Sequence, residues 1–206
     1  MSEPTQQTVR KRARWPWLVG LCLAIVAAAL YFSGVQSKSG TPTLRVETTQ
    51  KLSASQTEEF TLDVTISALG EARYPAMSMS IRFDPSRLEF LGLEEGNVFV
   101  LSDESSSGQR LPEWSCNVDH SNDTGLINIM YLDMTGGRNA FSQELLAEDY
   151  NVVLRLNFRL RGSARSGDVL ELMVEDAVFA ASDASQSLAM TADTLKVKHG
   201  KVVIGA

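Results

Sequence analysis

Apolar and polar residues alternate with a period of two along most of the chain beyond residue 43. Met77, Met79, Ile81 and Phe83 are apolar, while Ser78, Ser80 and Arg82 between them are polar, which predicts a half-buried strand. Asp84-Pro85 ends that run, because proline fixes φ and has no N–H for a ladder. Leu88, Phe90 and Leu91 open another strand, closed by the turn signal Glu94-Glu95-Gly96-Asn97. The same alternation runs through Leu44, Val46 and Thr48, through Phe60 to Ile66, through Leu154 to Leu160, and through Leu170 to Val174. Residues 195–198 and 202–204 predict two final strands around a turn at Gly200. Residues 141–150 (FSQELLAEDY) predict a short helix with Ser142 as its cap. So many strands with polar outer faces predict an all-β domain of two antiparallel sheets packed face to face.

One strand departs from this pattern. Residues 126–132 (LINIMYL) place Ile127, Ile129 and Tyr131 on one face, and Leu126, Asn128, Met130 and Leu132 on the other. Both faces are mostly apolar. Either a further layer, such as the 141–150 helix, covers the second face, or that face is an exposed patch for a protein partner. Methionine suits such surfaces because its unbranched side chain adapts.

The first 40 residues address a membrane. Residues 15–37 carry no charge, and the 18 apolar positions 15–32 would span about 27 Å as a helix, close to a hydrocarbon core of about 30 Å. Trp15, Trp17 and Tyr31 flank the run at interfacial positions. Arg10, Lys11, Arg12 and Arg14 precede it, which predicts a cytoplasmic tail (1–14), a single membrane span or signal anchor (15–34) and an exported body. A cleaved signal peptide is the alternative, although the run exceeds the usual h-region of about 7–15 residues. The Gly/Ser-rich stretch 35–43 reads as a linker.

The net charge of −6 conceals an asymmetry. Residues 1–14 sum to +3 and the remainder to −9, because 24 of the 25 acidic groups lie beyond residue 14. An acidic body excludes a nucleic-acid groove, which needs clustered Lys and Arg. Cys116 is the body's one cysteine, so no internal disulfide forms, and it reads as a small buried hydrophobe. Cys116, Asp119, His120 and Asp123 lie close together in CNVDHSND, but the segment reads as a polar loop rather than a metal site. No G-x-S-x-G, P-loop or H-E-x-x-H is present, and no acid/base pair stands out, so the chain does not read as an enzyme. The acidic stretch 103–108 reads as a solvated loop.

Taken in order, several segments resemble the cohesin family, the receptor modules of cellulosome-like bacterial assemblies. LRVETTQKLSASQTEEFTLDVTI looks like the opening strands, and SIRFDPSRLEFLGLEEGNVF like the family's strand, aspartate-proline turn and next strand. TGLINIMYLDMTGG, VVLRLNFRLRG, DVLELMVEDAVFAASD and GKVVIG complete the series over residues 44–206. The resemblance implies a jelly-roll β-sandwich of about nine strands, related to carbohydrate-binding modules.

It also implies a function. Cohesins bind dockerins, small calcium-loaded helical modules, on one sheet face. The corresponding strands here are 76–83, 127–133 and 153–161, plus a strand near the C-terminus. Parity on the first two gives Ala76, Ser78, Ser80, Arg82, Met130, Leu132 and Asp133 as the partner-binding residues. Met130 and Leu132 would form the desolvated centre, with Ser78, Ser80, Arg82 and Asp133 at the rim. The chain itself calls for no metal or cofactor, since the calcium belongs to the dockerin. Ala76 and Ser78 stand where many enzyme-recruiting cohesins have Asn and Asp, so the polar recognition code differs. The alternative function is direct polysaccharide binding, which wants a platform of flat aromatic rings. The body offers Trp114, Tyr74, Tyr131 and Tyr150, scattered along the chain.

Overall fold

The period-two segments fold into eleven strands among the described residues. They are β1 (Thr43–Val46), β2 (Thr48–Ser53), β3 (Phe60–Ile66), β4 (Ala76–Arg82), β5 (Leu88–Glu95), β6 (Trp114–Ser115), β7 (Leu126–Leu132), β8 (Val152–Leu160), β9 (Val169–Ala180), β10 (Lys196–Lys198) and β11 (Gly200–Gly205). The computed structural model describes residues 41–55, 58–99, 114–137, 139–182 and 189–205. The expected basic tail (1–14), membrane span (15–34), linker residues 35–40 and acidic loop (103–108) lie outside the described residues. Among the described residues no helix is long and apolar enough to cross a membrane.

Two sheets form, one ordered β10-β1-β3-β8-β5 and the other β2-β11-β9-β4-β7-β6. Their inner faces make a continuous core running from Leu44 to Ile204. Phe158 of β8 sits at the middle of one half, with ring centroids 5.5 Å from Phe90, 5.7 Å from Phe83 and 6.1 Å from Phe60. Tyr131 of β7 organises the other half, 4.8 Å from both Trp114 and Phe141. Packed rings at these separations add attraction beyond their area burial.

Several expectations are corrected. Residues 153–161 do not share a sheet with β4 and β7: β8 lies in the five-stranded sheet, and β9 is the strand beside β4. Residues 141–150 form no α-helix, only a 3-10 turn at Gln143–Leu145, and Ser142 makes no side-chain cap. A backbone bridge prevents the helix: Tyr74 N donates to Phe141 O at 2.8 Å and Phe141 N to Tyr74 O at 3.0 Å, holding Phe141 extended. The polar segment around His120 is instead an α-helix, α1 (Val118–Thr124). Asn117 caps it by accepting from His120 N, and Gly125 ends it at φ 71°, where a side chain is strained. Gly200 is not in a turn but begins β11. A Cβ there would lie 2.6 Å from Glu47 O, because β1–β2 and β10–β11 run side by side in parallel where both cross between the sheets.

Helix α1 closes an edge. Asn122 Nδ2 donates to Phe90 O at 2.8 Å, and Asn122 Oδ1 accepts from Phe90 N at 2.9 Å. One side-chain amide thus takes the place of a neighbouring strand on β5. Asn122→Ala would leave both Phe90 groups without their partner. The expected loss is about 1–3 kcal/mol, read as a shift of the urea midpoint.

The aspartate-proline turn is held by charge. Asp84 accepts from Ser86 Oγ at 2.6 Å and from Arg87 Nε at 2.7 Å, and these bonds hold its carboxyl below the usual carboxylate range. Arg87 also reaches Asp168 at 3.3 Å, tying this turn to the loop before β9. A depressed carboxyl stabilises the fold above its unfolded value of about 3.9 and loses that contribution as pH falls through the folded value. Asp84→Asn should therefore lower Tm at pH 7 by about 2–4 °C, the effect being limited by solvent screening. In calorimetry at successively lower pH, the gap to the parent chain should close below about pH 4.

Candidate partner-binding face

The outer face of the six-stranded sheet follows from register. Ile127, Ile129 and Tyr131 of β7 are buried, so Asn128, Met130 and Leu132 point away from the core. On β4, Met77, Met79 and Ile81 are buried, which turns Ala76, Ser78, Ser80 and Arg82 outward. The two strands pair with Ala76 opposite Leu132, Ser78 opposite Met130 and Ser80 opposite Asn128. On the other side of β4, β9 places Ala180, Val178 and Asp176 opposite the same three β4 residues. The result is a surface with an apolar end (Ala76, Leu132, Met130, Val178, Ala180) and a polar end.

The apolar end is open. Met130 is 56% exposed and Leu132 45%, and Met134 beyond the end of β7 is 67% exposed. Among the described residues no further layer covers them: Phe141, which was expected to begin a covering helix, is buried on the inner side against Tyr131. Side chains directly opposite on an antiparallel pair have Cβ atoms about 4.5–5.5 Å apart, so these apolar groups form a continuous patch.

At the polar end, Ser80 Oγ donates to Asn128 Oδ1 at 2.8 Å. Arg82 forms a two-point pair with Glu175, its Nε donating to one carboxylate oxygen and Nη2 to the other at 3.0 Å. The Glu175 hydrogen bonds raise Arg82 above its ordinary value. Between the two ends an open depression of about 490 Å³ is bordered by Ser78, Ser80, Cys116, Asn128, Met130 and Asp176. The Cys116 thiol is half-buried there, and burial pushes its pKa up, away from the reactive thiolate.

The outer face of the five-stranded sheet is different in kind. Arg155 pairs with Asp63 at 3.2 Å, and Arg159 with Glu59 at 2.7 Å and Glu89 at 3.4 Å. Asn157 donates to Glu94 at 2.9 Å and accepts from Thr61 at 2.9 Å. The polar groups of β8 on that face are thus matched by those of β3 and β5.

This architecture has relatives among solved structures. The third cohesin ScaC of Acetivibrio cellulolyticus, solved in complex with the ScaB dockerin, matches at TM-score 0.59 and 14% identity, over 80% of this chain and 99% of that one. The sixth cohesin of scaffoldin B from the same organism, solved with a mutant dockerin, matches at TM-score 0.58 and 17% identity, over 80% of this chain and 99% of that one. The chain has the cohesin fold. A type III cohesin module from the cellulosomal ScaE cell-surface anchoring scaffoldin of Ruminococcus flavefaciens matches at TM-score 0.51 and 14% identity, over 82% of this chain and 91% of that one. No protein-family model and no curated sequence matches the chain.

On this cohesin fold, six of the seven residues expected at the partner site lie on the outer face of the six-stranded sheet. Ala76, Ser78, Ser80, Met130 and Leu132 come together, and Arg82 stands at the polar end bound to Glu175. Asp133 does not join them. It is 8% exposed, and its Oδ1 accepts from Thr135 N at 2.7 Å and from Thr135 Oγ1, so it staples the turn after β7 instead of standing at a rim. The residues missed were those of β9, chiefly Asp176 and Val178. Their signal was present in the sequence: the apolar phase set by Leu170, Leu172 and Val174 slips by one before Ala177 and Phe179. Tyr74 and Tyr131 are fully buried and Trp114 packs against Tyr131 and Phe141, so these rings make no sugar platform. Among the described residues no group of three or more His, Cys, Asp and Glu is placed to hold a metal.

The exposure pattern makes a direct chemical prediction. Thioether oxidation follows access to the oxidant. Under limiting hydrogen peroxide, Met134 and Met130 should convert to sulfoxide at least several-fold faster than the buried Met77, Met79 and Met190, measured by peptide mass spectrometry.

Proposed function

We propose that this chain is a non-catalytic receptor module whose six-stranded face docks a calcium-loaded dockerin-type helical module. The observation that carries the reading is the open apolar end of that face, with Met130 and Leu132 outward on a strand whose alternate residues are locked in the core. A folded domain keeps large apolar side chains in adjacent outward positions at a cost in solubility, and contact with a partner relieves it. A helix laid across β4 and β7 would bury Met130 and Leu132 at the centre of the contact, while Ser78, Ser80 and Asn128 would supply hydrogen bonds around it. The cohesin structures with this fold that were solved as complexes hold dockerins, which supports the choice of partner.

The proposed setting is a cellulosome-like assembly of polysaccharide-degrading proteins. Residues 15–34 would anchor the module as a single span with a cytoplasmic N-terminus and the sandwich outside.

Titration of the chain by surface plasmon resonance against a panel of calcium-loaded dockerins tests this reading. At least one dockerin should bind in calcium and release in chelator. Leu132→Ala should weaken that binding by about 1–2 kcal/mol, or roughly five- to thirtyfold, and Leu132→Asp by more, because it buries an unpaired charge. Failure of every dockerin to bind, or unchanged affinity in Leu132→Asp, overturns the proposal.

A further inference from the structure

Strand β9 carries a bulge on the binding face. Ser80 of β4 pairs with Asp176 and Ile81 with Val174, so Glu175 is an extra residue in the ladder. Val174 and Ala177 are buried while Glu175 and Asp176 are both exposed, so two consecutive carboxylates emerge on the same side of the sheet. A regular strand would have turned one of them into the core. Bulges re-aim side chains in this way, at the expense of local ladder regularity.

The two carboxylates have different fates. Glu175 is neutralised by the two-point pair with Arg82. Asp176 forms no hydrogen bond or ion pair among the described residues. It lies in one row with Ser80 and Asn128 across three adjacent strands, at the border of the 490 Å³ depression and next to the apolar end. The depression therefore combines a free anionic group with the Ser78 and Ser80 hydroxyls and, at its margin, Met130. Such a site is complementary to a planar cation on an apolar stem.

We infer that Asp176 is a specificity-determining residue, and that the depression receives an arginine side chain from the partner, its guanidinium on Asp176 and its methylenes along Met130. This deepens the receptor reading and rests on it for the identity of the partner, but the subsite can be tested separately. The probe is N-acetyl-arginine amide, with the isosteric and uncharged N-acetyl-citrulline amide as control, titrated into the 15N-labelled full chain in mild detergent.

Arginine amide should give saturable shifts grouped at the amides of Ser78, Ser80, Asn128 and Asp176, and citrulline amide should not. In Asp176→Asn the apparent affinity should fall at least threefold, within the roughly fivefold that a partly exposed ion pair provides. The remaining amide positions in that variant should be unchanged, which excludes misfolding as the cause. Equal shifts with citrulline, equal affinity in Asp176→Asn, or shifts scattered over the acidic surface would overturn the assignment. Binding of a dockerin without any arginine response sinks the subsite alone. An arginine response with no dockerin bound leaves the subsite standing and removes the receptor reading.

Discussion

The inward lock on Tyr131 sets what the outer face of the six-stranded sheet can be. Its ring is fully buried between Trp114, Phe99 and Phe141, and its hydroxyl donates to Asn139 O at 2.6 Å. Side chains on a strand alternate strictly, so fixing Tyr131 inward forces Met130 and Leu132 outward. A one-residue slip of register would exchange the two faces. The slip is opposed by an aromatic cluster and a buried hydroxyl bond at once. The outward methionine and leucine are thus a consequence of core packing, and their exposure is as well determined as the core itself.

The sandwich treats its two outer surfaces in opposite ways. On the five-stranded sheet, arginines of β8 are matched by carboxylates from β3, β5 and the turn before β3. Such half-exposed pairs contribute little stability individually. Together they leave few unmet groups and little apolar area, which makes that side a poor surface for association. The six-stranded sheet has the Arg82–Glu175 and Lys201–Glu171 pairs, and bare hydrocarbon around Met130 and Leu132. The proposed docking on the six-stranded side rests on this contrast more than on either surface alone.

Much of this was legible in the residues, and the failures have physical causes. Strict alternation gave the strands and the outward parity of β4 and β7, because a buried core punishes any other phase. Parity says nothing of which sheet a strand joins, so it does not separate 153–161 from the strands of the other sheet: residues 154–160 of β8 alternate as cleanly as β4 and β7 do. The 141–150 segment has helical spacing, but two backbone bonds to Tyr74 hold its first residue extended. The composition of helix α1 (Asp, Asn, Ser, His) is that of turns, which is why its sequence reads as a loop. Its identity rests on the Asn117 cap, the Gly125 stop and the bond from Asn122 to β5, the last of which is visible only once the strands are placed. Asp133 was assigned to the rim as the residue that ends β7, but its carboxylate binds back onto Thr135.

Edges explain why the mode of association should be face-on. An open sheet invites another strand to pair along its edge. Here β5 is covered by the Asn122 amide, β6 is two residues long, and β10 is three. With main-chain addition discouraged on these sides, the proposed partner would engage side chains on a face. On the antiparallel pair β4–β7, Leu132 beside Ala76 and Met130 beside Ser78 form successive paired rows about 7 Å apart along the strands, which a docked helix would meet in turn. The small residues on β4 matter in that geometry: Ala76 and Ser78 let an approaching helix come close enough to reach the larger side chains of β7.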